Sequence, residues 1–242
     1  MRTIRVNLSA NGYNIYIDKG IVEKIGELLV KEKEPCKTLL ITDKNVEKIY
    51  GNAVLESLRR KKFDVGLVSI DPGEEQKSLE TAGVLYHACF DRKLDRNSLI
   101  VALGGGVVGD IGGFVASTFM RGIPFIQAPT SLLAQVDSSI GGKVAVNHPK
   151  GKNMIGSFYQ PMAVFIDTGT LSTLPALELV AGLVEVIKYG VIKDEKLFEY
   201  IEESLHEIVQ LNYEAILNII ATSCQIKANV VAEDEKEKHI RA

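Results

Sequence analysis

Cysteine is scarce in this chain, and runs of one charge sign or of apolar residues are short. Cys36, Cys89 and Cys224 are an odd number of cysteines without close spacing, so we expect buried free thiols in a reducing compartment and neither a disulfide frame nor a zinc motif. No apolar run approaches the ~20 residues of a membrane span, and the first residues fit neither a signal peptide nor a transit peptide. With a net charge of −3 and interspersed signs, the sequence predicts a cytoplasmic protein that binds neither nucleic acid nor a membrane.

Motifs of zinc and nucleophilic catalysis are also missing. The histidines show no H-x-x-x-H or similar spacing, so spacing identifies no set of three protein ligands for a catalytic zinc. The sequence has no G-x-S-x-G elbow and no cysteine with an evident catalytic partner.

Strand and helix patterns alternate over residues 1–170. Residues 4–18 alternate apolar and polar around Asn11-Gly12, which predicts a hairpin with a type I′ turn. Further strands are expected at 38–42, 65–70, 98–103, 125–128 and 164–167, and helices at about 45–61 and 75–90. Apolar strands that alternate with helices predict an α/β fold with a parallel sheet covered on both faces.

The pattern becomes wholly helical near residue 171. Helices are expected at about 175–189, 195–210 and 213–233. We therefore predict two domains, an α/β domain over residues 1–170 and the start of a helical domain over residues 171–242.

Glycine is concentrated between residues 104 and 160. Gly104, Gly106 and Gly109 match G-x-G-x-x-G between a predicted strand and a predicted helix, where backbone N–H groups can face a pyrophosphate. The motif follows a later strand than the usual dinucleotide fingerprint, and no acidic residue ends a strand ~20 residues on. A tight turn with close helix–sheet packing therefore explains it equally well.

Charged residues accompany these turns. Residues 43–45 follow the first strand of the α/β part, where the Asp43 carboxylate can accept bonds from ribose hydroxyls or cap a helix. Lys143, Lys152 and Asn153 are expected in loops, where lysine can meet phosphate or carboxylate or simply stay solvated.

A charged face marks the predicted helix at 176–189. The segment is apolar around most of its circumference, which predicts a buried helix, yet Glu185 and Lys188 share one face with small residues. Because a buried carboxylate needs a partner or a metal, we expect Glu185 either to pair with Lys188 on a half-exposed helix or to bind a cation.

Six stretches together resemble one family closely, the 3-dehydroquinate synthases. They are PGEEQKS (72–78), ALGGGVVGDIGGFVAS (102–117), FMRGIPFIQAPTSLLAQVDSSIGGKVAVN (119–147), GKNMIGSFYQP (151–161), TLPALE (173–178) and GLVEVIKYG (182–190). The stretches run in family order, and together they are far more specific than any single motif. Other sugar-phosphate cyclases and the metal-dependent glycerol dehydrogenases share only parts of them.

The resemblance implies a Rossmann-like, parallel-sheet domain that binds NAD, followed by an all-helical domain, with the active site between them. It implies a lyase of the shikimate pathway, which makes aromatic amino acids. The reaction converts 3-deoxy-arabino-heptulosonate 7-phosphate to 3-dehydroquinate and phosphate by transient oxidation, phosphate elimination, reduction, ring opening and an aldol step. The resemblance also implies a divalent metal, zinc or cobalt, and a homodimer.

The family pattern assigns roles to individual residues. Around NAD it places Asp43, Asn45, Glu74, Lys77, Gly105, Gly106, Val107, Asp110, Thr130, Ser131 and Thr173. Facing the phosphorylated sugar acid it places Asp137, Lys143, Asn153, Lys188, Lys227 and Arg241, with Lys143 and Lys152 beside both ligands. Arg121 would reach the phosphate site of a neighbouring subunit, and Glu185 would be one metal ligand.

The family pattern continues past Ala242, and its two histidine metal ligands lie in that part. The resemblance therefore implies a C-terminally truncated chain with an incomplete metal site, inactive on its own and with an exposed apolar surface on its last helices. Two alternatives stay open, another sugar-phosphate cyclase and a short relative that binds NAD without turnover.

Overall fold

A computed structural model describes residues 1–8 and 12–236, and within them the chain is an α/β protein with one large sheet and a separate hairpin. The strands are β1 (Arg2–Val6), β2 (Tyr13–Asp18), β3 (Lys37–Asp43), β4 (Asp64–Ile70), β5 (Leu99–Gly104), β6 (Phe125–Pro129), β7 (Lys143–His148), β8 (Gly151–Phe158) and β9 (Ala163–Asp167).

The helices of the described residues cover both faces of the sheet and fill the C-terminal part. They are α1 (Ile25–Leu29), α2 (Lys44–Val46), α3 (Asn52–Arg60), α4 (Leu79–Asp91), α5 (Gly106–Thr118), α6 (Ala176–Lys193), α7 (Glu195–Glu203), α8 (Leu205–Val209) and α9 (Tyr213–Glu233). A π-helical stretch, Glu47–Gly51, joins α2 to α3, and a second one spans Ala134–Ser138.

The large sheet has the order β1-β2-β9-β6-β5-β3-β4. All neighbouring strands from β2 to β4 run parallel, and only the edge strand β1 is antiparallel, to β2. The predicted α/β class and every predicted strand are therefore confirmed. Residues 7–12 connect β1 to β2, and the turn predicted at Asn11-Gly12 includes Asn11, which lies outside the described residues.

Two apolar clusters cover the faces of the central strands. Ile41, Ile100 and Ile111 belong to the cluster beneath α4 and α5, and Leu40, Val101 and Leu58 to the one beneath α1 and α3. Because both faces of β3 and β5 are covered, these strands read as continuous apolar runs in the sequence.

The expectation of loops around residue 150 was wrong. Lys143 lies at the start of β7, and Lys152 and Asn153 lie in β8, which pairs antiparallel with β7. Val144 and Val146 alternate with more exposed neighbours and pack against α5. The strand was not recognised in the sequence because its alternation of apolar and polar residues is short and is followed by turn-forming residues, Pro149 and Gly151.

The prediction that α6 is a buried helix was also wrong. Its buried residues are Gly182, Leu183, Val186, Tyr189 and Gly190. Apolar side chains on the opposite side are exposed to solvent: Leu177, Val180, Val184, Val191 and Ile192. The apolar surface expected on the last helices is therefore found mainly on α6, the first helix of this region, and α9 exposes no large apolar side chain among its described residues.

Among the described residues, α9 alone is long and apolar enough to cross a membrane, with a mean hydropathy of 1.3. Such a segment is not predicted from the sequence, in which apolar runs are short. More than half of this stretch is buried inside the protein, where Ile219, Ile220 and Cys224 pack against the first strands and α6. Burial of this kind is what a core helix of a folded domain requires.

Candidate active site

A cleft of about 770 Å³ opens at the carboxyl edge of the parallel strands. It lies where the chain has crossed from β3 to β4 and returned to β5 on the other side of β3, so the strand order reverses there. Ligands of open α/β sheets bind at such a reversal, outside the carboxyl ends of the strands. Asp43, Asp71, Gly105 and Thr130, at or just after the ends of four strands, all line the cleft.

The glycine motif forms the floor of this cleft. β5 ends at Gly104 and α5 begins at Gly106, so the N–H groups of the first turn of α5 face the cleft. A Cβ at Gly109 would come within 2.5 Å of Gln127 Oε1 on β6. The close helix–sheet packing predicted for the motif is therefore confirmed. The same glycines leave the start of α5 open toward the cleft, and binding of a pyrophosphate there stays a prediction.

Asp43 also combines two roles. Its Oδ1 atom accepts hydrogen bonds from the backbone N–H groups of Asn45 (2.8 Å) and Val46 (3.1 Å), so it caps α2. It lines the cleft as well. In the same helical segment, the Tyr50 hydroxyl lies 2.7 Å from Thr173 Oγ1, and this contact ties the segment after β3 to the helical segment after β9.

A second cavity of about 480 Å³ adjoins the first. It is lined by the hairpin, by the π-helical stretch and by α9, which contribute Asn153, Asp137 and Lys227 among others. Asp110 and Ser138 line both cavities. Two ligands, one in each cavity, would therefore both contact these two side chains.

A buried ammonium group joins the two cavities. Lys77 is 5% exposed, and its Nζ atom donates to Asp110 Oδ2 at 2.7 Å and to Asn153 Oδ1 at 2.6 Å. Burial raises the pKa of the Asp110 carboxyl to about 6, although the Lys77 charge acts in the opposite direction.

A second such pair lies in the second cavity. Lys227 Nζ donates to Asp137 Oδ1 at 2.5 Å, and the buried Tyr189 hydroxyl donates to the same oxygen at 2.8 Å. Burial acts to raise the pKa of Asp137, but the Lys227 charge and the two hydrogen bonds outweigh it and hold the pKa below its usual range. Asp137 is therefore a carboxylate, with Oδ1 fully engaged.

Glu185, the residue expected either to pair with Lys188 or to bind a cation, forms the pair. Its buried Oε1 atom makes the ion pair with the Lys188 ammonium group on the same helix, α6. Lys188 in turn lies 5.3 Å from the centre of the Tyr189 ring. Within residues 1–8 and 12–236, no group of three or more histidine, cysteine or acidic side chains is placed to hold a metal ion. These residues supply one carboxylate and not a complete metal site.

Two family-model matches decide the family. The model described as 3-dehydroquinate synthase N-terminal matches residues 67–181, and the one described as 3-dehydroquinate synthase C-terminal matches residues 182–242. The chain belongs to the 3-dehydroquinate synthase family.

Relatives and solved structures agree with this assignment. The chain is 54% identical to the 3-dehydroquinate synthase of Desulforamulus reducens, over 100% of this chain and 67% of that protein. A structure of 2-deoxy-scyllo-inosose synthase with carbaglucose-6-phosphate, NAD+ and Co2+ superposes with a TM-score of 0.91 at 29% identity, over 99% of this chain and 65% of the other. A 2-epi-5-epi-valiolone synthase from Streptomyces hygroscopicus with NAD+ and Zn2+ gives 0.87 at 27% identity, over 96% and 65%. The chain spans about two thirds of the length of the relatives that it matches.

Most residues that the 3-dehydroquinate synthase pattern selects lie at the two cavities. Every residue assigned to NAD alone lines the first cavity, and Asp137, Lys143, Asn153 and Lys227 line the second. Lys152, Arg121, Lys188 and Glu185 line neither cavity. Arg241 lies outside the described residues.

Sequence reasoning missed several polar residues of the site. Asn147 and Tyr189 hydrogen-bond to site residues, and Ser138 lines both cavities. Asn147 and Ser138 stand inside the longest matching stretch and Tyr189 inside the last one, but nothing in the sequence shows which neighbours they contact.

Proposed function

We propose that this protein catalyses the 3-dehydroquinate synthase reaction, the conversion of 3-deoxy-arabino-heptulosonate 7-phosphate to 3-dehydroquinate and phosphate. The observation that carries the proposal is the pair of adjoining cavities that share Asp110 and Ser138, in a chain of this family. A dinucleotide in the first cavity and a sugar phosphate in the second would then touch where oxidation must occur.

The first cavity suits NAD. The start of α5 offers unpaired backbone N–H groups to a pyrophosphate, and Lys77 supplies positive charge nearby. When bound, NAD would supply an acceptor for the hydride on the substrate carbon that bears the hydroxyl, and the reduced cofactor would return a hydride later, so that the overall reaction is redox-neutral. The residues of the chain hold the dinucleotide and the substrate against each other and exclude water from the contact.

The second cavity suits an anionic sugar acid. Lys143 and Lys227 bring positive charge to a substrate that carries a phosphate and a carboxylate, and Asn153 can donate to or accept from its hydroxyls. Because Oδ1 of Asp137 is occupied by Lys227 and Tyr189, Oδ2 is the atom that can accept a hydrogen bond from a substrate hydroxyl.

A divalent metal is part of the proposal, since structures of two related synthases contain Co2+ or Zn2+. Glu185 would be one ligand. The described residues do not complete that site, and the roles given above to Asp137, Lys227 and Asn153 do not depend on it. Zinc as the metal, a homodimer to which Arg121 contributes, a cytoplasmic location and roles for Lys152, Lys188 and Arg241 are further parts of the proposal.

Phosphate release tests the proposal. The protein made from this sequence, with whatever coding sequence follows Ala242, is supplied with NAD, a divalent metal and the heptulosonate phosphate, and phosphate and 3-dehydroquinate are measured. Lys227→Met should lower kcat/KM by about 100-fold or more, because it removes charge stabilisation inside a closed site. Lys196→Met, on the exposed side of α7, should leave it unchanged. Equal amounts of phosphate and 3-dehydroquinate support the proposal, and release of neither from a protein with bound NAD and metal contradicts it.

A further inference from the structure

Asn147 connects the two cavities without lining either of them. It lies in β7 at an irregularity in the hairpin, where the pairing shifts between Val146 and His148, so Asn147 has no partner across the ladder. An unpaired residue at such a bulge can direct its polar groups elsewhere, and bulges are common beside active sites.

Three polar groups of Asn147 form hydrogen bonds. Its backbone N–H donates to the carbonyl of Lys77 at 2.6 Å, and its Nδ2 atom donates to Glu74 Oε1 at 2.9 Å. Its Oδ1 atom accepts from the backbone N–H of Asn153 at 2.9 Å. Two of these bonds reach the segment that borders the first cavity, and the third reaches the strand that borders the second.

The bond to Asn153 has a specific consequence. Asn153 has a φ of 57°, a left-handed conformation that asparagine adopts more readily than most residues but less readily than glycine. The bond from its N–H to Asn147 stabilises this conformation, and in it the Asn153 side chain reaches Lys77 Nζ, which also binds Asp110.

We propose that Asn147 is a positioning residue that couples cofactor binding to substrate binding. The inference rests on the proposed function, because it takes the first cavity as the NAD site and the second as the sugar-phosphate site. Asn147 orients one wall of the NAD site through its bond to Glu74, and it orients one wall of the substrate site through its bond to Asn153. The amide side chain of Asn147 supplies an NH2 donor for Glu74 and a separate carbonyl acceptor for the Asn153 N–H.

Two substitutions separate these contacts. Asn147→Ala removes both side-chain bonds, and we expect the Kd for NAD and the KM for the sugar phosphate each to rise about three- to tenfold, as one lost hydrogen bond would produce. Asn147→Asp keeps an acceptor for the Asn153 N–H but sets a carboxylate against Glu74. It should therefore raise the Kd for NAD while the KM for the sugar phosphate stays within about twofold of wild type. His148→Ala, on the next and exposed residue of β7, is the matched control and should change neither value.

Both ligands are titrated by calorimetry as well as in turnover, and a thermal melt checks that each variant is folded. Unchanged affinities in folded Asn147→Ala would overturn the inference, and so would equal effects of Asn147→Asp on both ligands. Should Asn147→Ala not fold, the split between the two ligands in Asn147→Asp decides. A wild-type protein without turnover contradicts the proposed function, while the two titrations still decide the role of Asn147.

Discussion

Two ammonium–carboxylate pairs, Lys77–Asp110 and Lys227–Asp137, stand at the two cavities with opposite electrostatic outcomes. Asp110 shares its ammonium with Asn153 and feels the negative charges of Glu74 and Asp137, so burial prevails and its pKa is raised. Asp137 receives both Lys227 and Tyr189 at one oxygen, with Lys188 nearby, so its pKa is lowered. Similar residue pairs thus hold the pKa of one carboxyl above its usual range and the pKa of the other below it.

Asp110 should make stability depend on pH. Its folded pKa of about 6 lies above the unfolded value of 3.8, so its contribution to stability is fully present below the unfolded pKa and is lost as the pH rises through 6. The difference in unfolding free energy, wild type minus Asp110→Asn, should fall by about 2 kcal/mol between pH 4 and pH 7. Urea unfolding at several pH values measures this difference. A difference that does not vary with pH would show that Asp110 has an ordinary pKa.

Tyr189→Phe removes one of the two donors to Asp137. Since the acceptor is charged and buried, the loss at pH 7 should be about 1.5–3 kcal/mol of unfolding free energy. The lowered pKa of Asp137 means that its stabilising contribution is present above the unfolded pKa and is lost as the pH falls through the folded pKa. The effect of the substitution should therefore shrink in acid. Tyr86→Phe, which removes an exposed bond to Thr118, is the control with a smaller expected loss, and equal losses at pH 7 would contradict the account.

At the scale of elements, α5 shows what the sequence could and could not reveal. Its place after β5 was predictable, because an apolar run leads into G-x-G-x-x-G. The contact between Gly113 and the hairpin was not predictable, because it joins elements that are distant in sequence. A Cβ at Gly113 would lie 2.4 Å from Val144 Cγ1. The hairpin itself was missed because turn-forming residues surround its short strands. The exposure of α6 was missed because an apolar circumference does not reveal which neighbours cover it.

Two glycines in helices of equal length give a matched test. Gly83 in α4 has open space where a Cβ would stand, whereas Gly113 in α5 is closely packed. Gly83→Ala should stabilise the protein by about 0.5–1 kcal/mol through helix propensity. Gly113→Ala should destabilise it by about 1–3 kcal/mol through overpacking. Chemical denaturation of both variants provides the measurement, and stabilisation by Gly113→Ala would mean that α5 and the hairpin are less tightly packed than described.

At the scale of the whole molecule, a shared core holds the first strands and the last helices together. Ile15 and Ile17 of β2 belong to the same apolar cluster as Val186 of α6 and Ile220 of α9. Apolar patterning could predict the strands and helices, and the resemblance to a family supplied the site residues. Contacts between distant segments, such as Lys77 with Asn153, could not be predicted, because they depend on how the hairpin folds back over the cleft.

The exposed side of α6 should affect behaviour in solution. Leu177, Val180, Val184 and Val191 form one stripe at helical spacing and are exposed by 79%, 56%, 61% and 67%. We expect the 242-residue chain to bind a hydrophobic dye and to self-associate as its concentration rises. Val180→Lys combined with Val184→Glu should reduce both effects with little change in unfolding free energy. Sedimentation velocity and dye fluorescence check this, and unchanged association would assign it to another surface.

Calorimetric titration of NAD into the folded 242-residue chain tests most directly whether the cleft at the carboxyl edge of the sheet binds the cofactor. Gly105→Val is the matched variant. The backbone of Gly105, with φ −73° and ψ −170°, accepts a valine, but the side chain would fill the cleft at the start of α5. We predict saturable binding at one site per chain in the wild type and its loss in folded Gly105→Val. No heat from the folded wild-type chain, or equal binding by both proteins, would contradict the account.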